Sequence, residues 1–132
     1  MIGIAVWNFS EGTLAERIDR FGGMGFTAVS LLARHAAEMA RGVTPEVEDA
    51  ILRNSLGVVI HGSMSNKGVP AEESVILADF EAFLEWHSRT GSLLTVNYDP
   101  ATRLVGEEAV YDHEVMHSAL LRMLQESGGA GF

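Results

Sequence analysis

The run Gly57-Val58-Val59-Ile60, closed by His61 and Gly62, constrains the fold of this chain more than any other stretch. Its residues are apolar and mostly β-branched, with no polar residue alternating among them. That pattern predicts a strand covered on both faces, as in parallel sheets. His61 then falls at the carboxyl end of a buried strand, ahead of a polar, glycine-bearing loop from Gly62 to Gly68. In open α/β sheets and α/β barrels ligands bind at that end, so His61 is the first candidate for function.

Three more apolar runs share this organisation: Ile2 to Phe9, Thr27 to Ala33 and Leu93 to Tyr98. After the first, Thr13 and Glu16 have the spacing of a capping box, and Leu14, Ile18 and Phe21 fall on one helical face. Gly22, Gly23 and Gly25 end that helix. The second run leads to a short helix around His35 to Arg41. A stronger one opens at Thr44-Pro45, an N-cap followed by proline at the first helical position, with Val47 and Ile51 inward. Past the third run, a long helix from near Pro70 buries Ile76, Phe80, Phe83 and Leu84 and stops at Gly91. Trp86 and His87 lie on its inner side, His87 near the negative end of the helix dipole. The fourth run closes at Asp99-Pro100, and a last helix spans Asp112 to about Ser127 with Met116, Leu120, Met123 and Leu124 inward. Strands alternating with helices predict an α/β domain over residues 1–132, a parallel sheet with right-handed crossovers.

Composition removes several function classes. The net charge is -9, and the nine basic residues are scattered, which argues against nucleic acid and anionic membrane as partners. With no cysteine, there is no disulfide framework, thiol nucleophile or cysteine metal site. The start, Met1-Ile2-Gly3-Ile4-Ala5-Val6-Trp7, has no cationic segment before its apolar run, unlike a signal peptide. No apolar stretch approaches the ~20 residues that span a bilayer. A cytoplasmic protein is expected.

Ile2-Gly3-Ile4-Ala5-Val6-Trp7, the Gly25-Phe26-Thr27-Ala28-Val29 entry to the second strand and the Ile60-His61-Gly62 end of the third resemble the sugar phosphate isomerase/epimerase family. Those enzymes have the xylose-isomerase-like TIM barrel, related to endonuclease IV. The resemblance implies metal-assisted proton transfer next to a carbonyl on a small sugar or sugar-like substrate. It also implies a divalent metal cofactor and gives His61 a catalytic, substrate- or metal-facing role. A (β/α)8 barrel usually needs about 250 residues and eight strands, whereas this chain supplies four strand–helix units, half a barrel. The family's acidic and histidine metal ligands fall on later strands. Three possibilities stay open: a fragment, a half-barrel completed by another copy, or a free-standing four-stranded sheet. A lone half-barrel leaves two unpaired edges and an uncovered inner face, so a homo-oligomer is expected.

Two constellations bear chemistry. With parallel strands, Trp7 and Asn8 after strand one, Arg34 and His35 after strand two, His61 on strand three, and Asn97 and Asp99 after strand four share one rim. Trp7, Asn8, His35, Asn97 and Asp99 are the candidate substrate-binding residues, suited to a polyhydroxylated and even phosphorylated ligand. The loop Gly62 to Gly68, with Lys67, lies on the same rim but lacks P-loop spacing. Separately, His113-Glu114-Val115-Met116-His117 matches H-E-x-x-H, in which two histidines one helical turn apart bind zinc and the glutamate activates water. Leu120 and Met123 stand where the extended motif has glycine and histidine. Glu126, the one carboxylate that follows, sits on the same helix and cannot reach the metal. Two functions compete with the isomerase: a non-catalytic binding or assembly module, and an HExxH zinc peptidase using His113, Glu114 and His117.

Overall fold

The structure is a computed structural model that describes residues 1–61, 73–96, 103–105, 108–110, 121–122 and 125–126. Four parallel strands form one sheet in sequential order: β1 (Gly3–Ala5), β2 (Ala28–Leu32), β3 (Gly57–His61) and β4 (Leu94–Val96). The register aligns Ile4, Val29, Val58 and Leu94 across all four strands, and Leu31, Ile60 and Val96 across the last three. Side chains alternate between faces along a strand, so these two rows share one face. Val29, Leu31, Val58, Ile60 and Leu94 are buried, and the rows join one core with residues from every long helix. The helices are α1 (Leu14–Gly23), α2 (Ala33–Ala40), α3 (Pro45–Arg53) and α4 (Glu73–Thr90). They contribute Ile18 and Phe21, Ala36 and Met39, Val47 and Ile51, and Phe80, Phe83 and Trp86. Removing the five buried strand residues from water contributes on the order of 10 kcal/mol.

The intervening residues Ala28, Ser30, Val59 and Thr95 face the other way and take no part in that core. A sheet ordered β1-β2-β3-β4 with its helices packed on one face is the strand–helix arrangement of half a (β/α)8 barrel. A doubly wound sheet would instead reverse its strand order and carry helices on both faces.

Local chemistry explains most element ends. The Thr13 hydroxyl accepts from the Glu16 amide at 3.2 Å, and the Glu16 carboxylate accepts from the Thr13 amide at 2.8 Å, closing the capping box. The glycines after Phe21 end α1, with Gly25 at φ +92°, a backbone that side chains disfavour. Gly91, at φ +65°, ends α4, and there His87 Nδ1 hydrogen-bonds the Ser92 carbonyl. Salt bridges tie helices in pairs: Asp19 of α1 with Arg53 of α3, Arg41 after α2 with Asp79 of α4, and Glu48 of α3 with Arg89 of α4.

Several expectations are corrected. The first apolar run is a strand only over Gly3–Ala5; Val6–Asn8 then turns as a 3-10 helix that drops Val6 into the core. Thr44 precedes α3 but makes no side-chain cap bond, so Pro45, with its fixed φ, supplies the start signal. A short antiparallel pair, β5 (Arg103–Val105) and β6 (Glu108–Val110), forms a second sheet in a stretch for which the sequence suggested no element. Leu121, Arg122, Gln125 and Glu126 are helical, within the span expected for the last helix. The inward stripe of that helix lies outside the described residues. No described helix is long and apolar enough to cross a membrane.

Candidate functional site

The parallel register sends the ends of all four strands to one edge of the sheet. At β1 that edge continues into the 3-10 turn, carrying half-buried Trp7 and exposed Asn8. At β2 it continues directly into α2, whose first turn holds Arg34 and His35. At β3 it ends on His61, whose backbone pairs with Leu32, the last residue of β2. Trp7, Asn8, His35 and the backbone of His61 are therefore placed around one rim, as the sequence predicts. Asn97 and Asp99, which follow β4 in sequence, lie outside the described residues. So do His113, Glu114 and His117 and the loop from Gly62 to Gly68.

Arg17, which the sequence did not single out, organises the β1 side of this rim. Its Nη1 donates to the Val6 carbonyl at 3.0 Å and to the Phe9 carbonyl, and its Nε donates to the Thr13 carbonyl at 3.3 Å. One guanidinium thus fixes both ends of the turn bearing Trp7 and Asn8. Phe9 adds a second anchor, its ring centroid 4.8 Å from that of buried Phe21. A signal for Arg17 did exist. A cation in the first turn of a helix opposes the macrodipole, and so calls for a local reason.

His35 is half-buried on α2. The Arg34 Nε–H donates to His35 Nε2 at 3.3 Å, so that nitrogen is the acceptor and the proton sits on Nδ1. Nδ1 is buried and has no hydrogen-bond partner among the described residues. Burial holds the imidazole pKa below its ordinary value; Arg34 and Arg17 push it the same way, and Glu38, one turn along α2, opposes them. Burial favours the neutral imidazole, whose Nε2 faces Arg34 and whose Nδ1 is closed off from solvent.

This described part of the rim does not fit a divalent cation. Arg17 and Arg34 repel one, and His35 already uses Nε2 to accept from Arg34. Among the described residues no group of three or more histidine, aspartate or glutamate side chains is placed to hold a metal. Comparison with protein-family models, curated proteins and solved structures finds no match to this chain.

Proposed function

We propose that the strand-end rim binds a small, polyhydroxylated carbonyl compound, and that the chain acts in the manner of a sugar isomerase or epimerase. The observation supporting this most directly is the shared register of β1, β2 and β3, which gathers Trp7, Asn8, His35 and the His61 backbone at one edge. His61 is assigned to proton transfer at the carbon next to the carbonyl, and Trp7, Asn8, His35, Asn97 and Asp99 to holding the substrate. Removing such a proton leaves negative charge on the carbonyl oxygen, which a hydrogen-bond donor must meet. The divalent ion implied by the resemblance would have to sit away from Arg17 and Arg34.

The proposal places the protein in the cytoplasm and has a second copy completing the barrel. A monomeric mass by light scattering at working concentration counts against that assembly. The competing function, a non-catalytic assembly module, draws on the two edge strands: among the described residues β1 pairs only with β2, and β4 only with β3. Proton exchange separates the two. In deuterated buffer, a panel of aldoses and ketoses should lose the proton beside the carbonyl in the presence of the protein, and His61→Ala should abolish the loss. No exchange with any sugar, or exchange unchanged in His61→Ala, refutes the isomerase.

A further inference from the structure

The apolar rows of the sheet are unfinished at both of its edges. In the row of Ile4, Val29, Val58 and Leu94, Val29 and Val58 are fully buried, but Ile4 on the outer strand β1 only partly. In the row of Leu31, Ile60 and Val96, the partly buried member is Val96 on the other outer strand, β4. Ile2, entering β1, is 65% exposed, and Leu93, entering β4, is 42% exposed. Among the described residues no strand pairs with the outer side of β1 or β4, since β5 and β6 pair with each other. Gly3–Ala5 and Leu94–Val96 contain no proline and no charged side chain, the usual guards of a free edge. The sheet face turned from the helices is uncharged as well. Its rows are Gly3, Ala28 and Gly57, then Ala5, Ser30, Val59 and Thr95.

Such edges can meet those of a second copy in three ways. β1 on β1, or β4 on β4, gives an open eight-stranded sheet that still has two free edges. A single contact of β4 on β1 leaves one edge of each kind and adds copies without end. Two such contacts about a two-fold axis close a ring and leave no edge. Eight is also the number of parallel strands at which a ring closes with side chains filling its interior. One copy, with four strands in sequential order and its helices on one face, supplies half of that ring. We infer that β4 of each copy pairs in parallel with β1 of the other, so that two copies share one closed barrel. The inference rests on the proposed completion of the barrel by a second copy, and it specifies which strands join. The joint continues both apolar rows and encloses the uncharged face. Because the strands stay parallel, each copy's first strand brings its Trp7 and Asn8 to the rim beside the other copy's fourth.

The test is self-association of the full chain, followed by sedimentation equilibrium up to about 100 μM. Wild type should have twice the mass of one chain. Thr95 is exposed on β4, in the row that faces the enclosed side. Thr95→Lys therefore leaves a single copy intact and puts a charge inside the barrel. Ala5 has φ −82°, close to that of proline. The Ile2 carbonyl faces β2, accepting from the Thr27 and Ala28 amides, so the alternation of a parallel ladder turns the Ala5 amide to the free edge. Ala5→Pro removes that donor and spares the pairing of β1 with β2. Both variants should fold normally by circular dichroism and weaken association at least about tenfold. A dimer affinity within about twofold of wild type in either folded variant overturns the edge pairing and leaves association through another face. Masses that climb beyond two copies with concentration overturn it too, since the edges then meet without closing. A wild-type monomer up to about 100 μM overturns the edge pairing and the completed barrel alike. Edge-dependent dimers without proton exchange on any sugar would sink the isomerase and leave this interface standing.

Discussion

Gly22 and Gly23 adjoin at the end of α1, yet alanine should act oppositely at the two positions. A Cβ on Gly22 would lie 2.6 Å from Cγ and 2.8 Å from Cβ of Asn54, whereas one on Gly23 meets nothing within 4 Å. Asn54 cannot retreat cheaply, because its Nδ2 donates to Asp19 Oδ1 at 2.7 Å and to the Ala50 carbonyl at 2.8 Å. Losing those two bonds costs about 1 kcal/mol each, and residual overlap adds about another 1 kcal/mol. Against this, alanine in place of glycine in a helix gains at most about 1 kcal/mol. Gly22→Ala should therefore destabilise by about 2 kcal/mol, and Gly23→Ala should stabilise by up to about 1 kcal/mol. At roughly 4 °C per kcal/mol for a domain of this size, Tm falls by about 8 °C in the first variant and rises slightly in the second. Thermal and urea unfolding followed by circular dichroism measure both. In an Asn54→Gly background the clash has no partner, so Gly22→Ala should become neutral or stabilising. If Gly22→Ala stabilises wild type, or costs the same in both backgrounds, the packing of α1 on α3 has been misjudged.

Arg17→Met removes three donations to backbone carbonyls, one partly buried, and should lower stability by about 2 kcal/mol, with Phe9 on Phe21 limiting the loss; an unchanged urea midpoint would deny the guanidinium its role in holding the turn. Thr13→Ala opens the capping box and should cost about 1 kcal/mol in the same assay, while a cost near zero would mean the box adds nothing. The His35 pKa lies below its unfolded value of 6.5, so the unfolded chain takes up the proton first as pH falls. The contribution of the neutral imidazole is complete above 6.5 and disappears as pH falls through the folded value. Wild type should accordingly lose more stability than His35→Gln between about pH 7 and pH 5, and equal losses would refute the burial of that imidazole.

The elements legible in the sequence are those fixed by short-range rules. Thr13 and Glu16 announced the start of α1 because both halves of a capping box lie within one turn. The Gly57–His61 strand was legible from its unbroken β-branched run, but its cover was misjudged: the helices pack only on the face of Val58 and Ile60, and half-buried Val59 looks the other way. Sequential strand–helix alternation then implied the parallel order, and with it the shared edge of Trp7, Asn8, His35 and His61. What escaped depends on contacts distant in sequence. Nothing near Val6 says that a guanidinium eleven residues later will claim its carbonyl, so the 3-10 turn read as more strand. Thr44 looked like a cap, but a buried hydroxyl without a bond performs none. The hairpin at Arg103–Val110 lacks the alternating apolar pattern that marks longer strands, and its three-residue arms are too short to show a period. Arg34 was placed on the rim by its position after the second strand, whereas Arg17 reaches the turn after β1 only through the packing of α1 and so was missed.

The two-residue period of the strands divides labour within a single stretch of chain. Along β2, Val29 and Leu31 are sealed against the helices, while Ala28 and Ser30 between them look away from that core. The same holds for Val58 and Ile60 beside Val59 in β3. Ser30, Val59 and Thr95 occupy one row across β2, β3 and β4 and can be varied together without opening a hole beneath the helices. A designer could therefore reshape the interior of the half-barrel at every second position, keeping the scaffold that supports it intact.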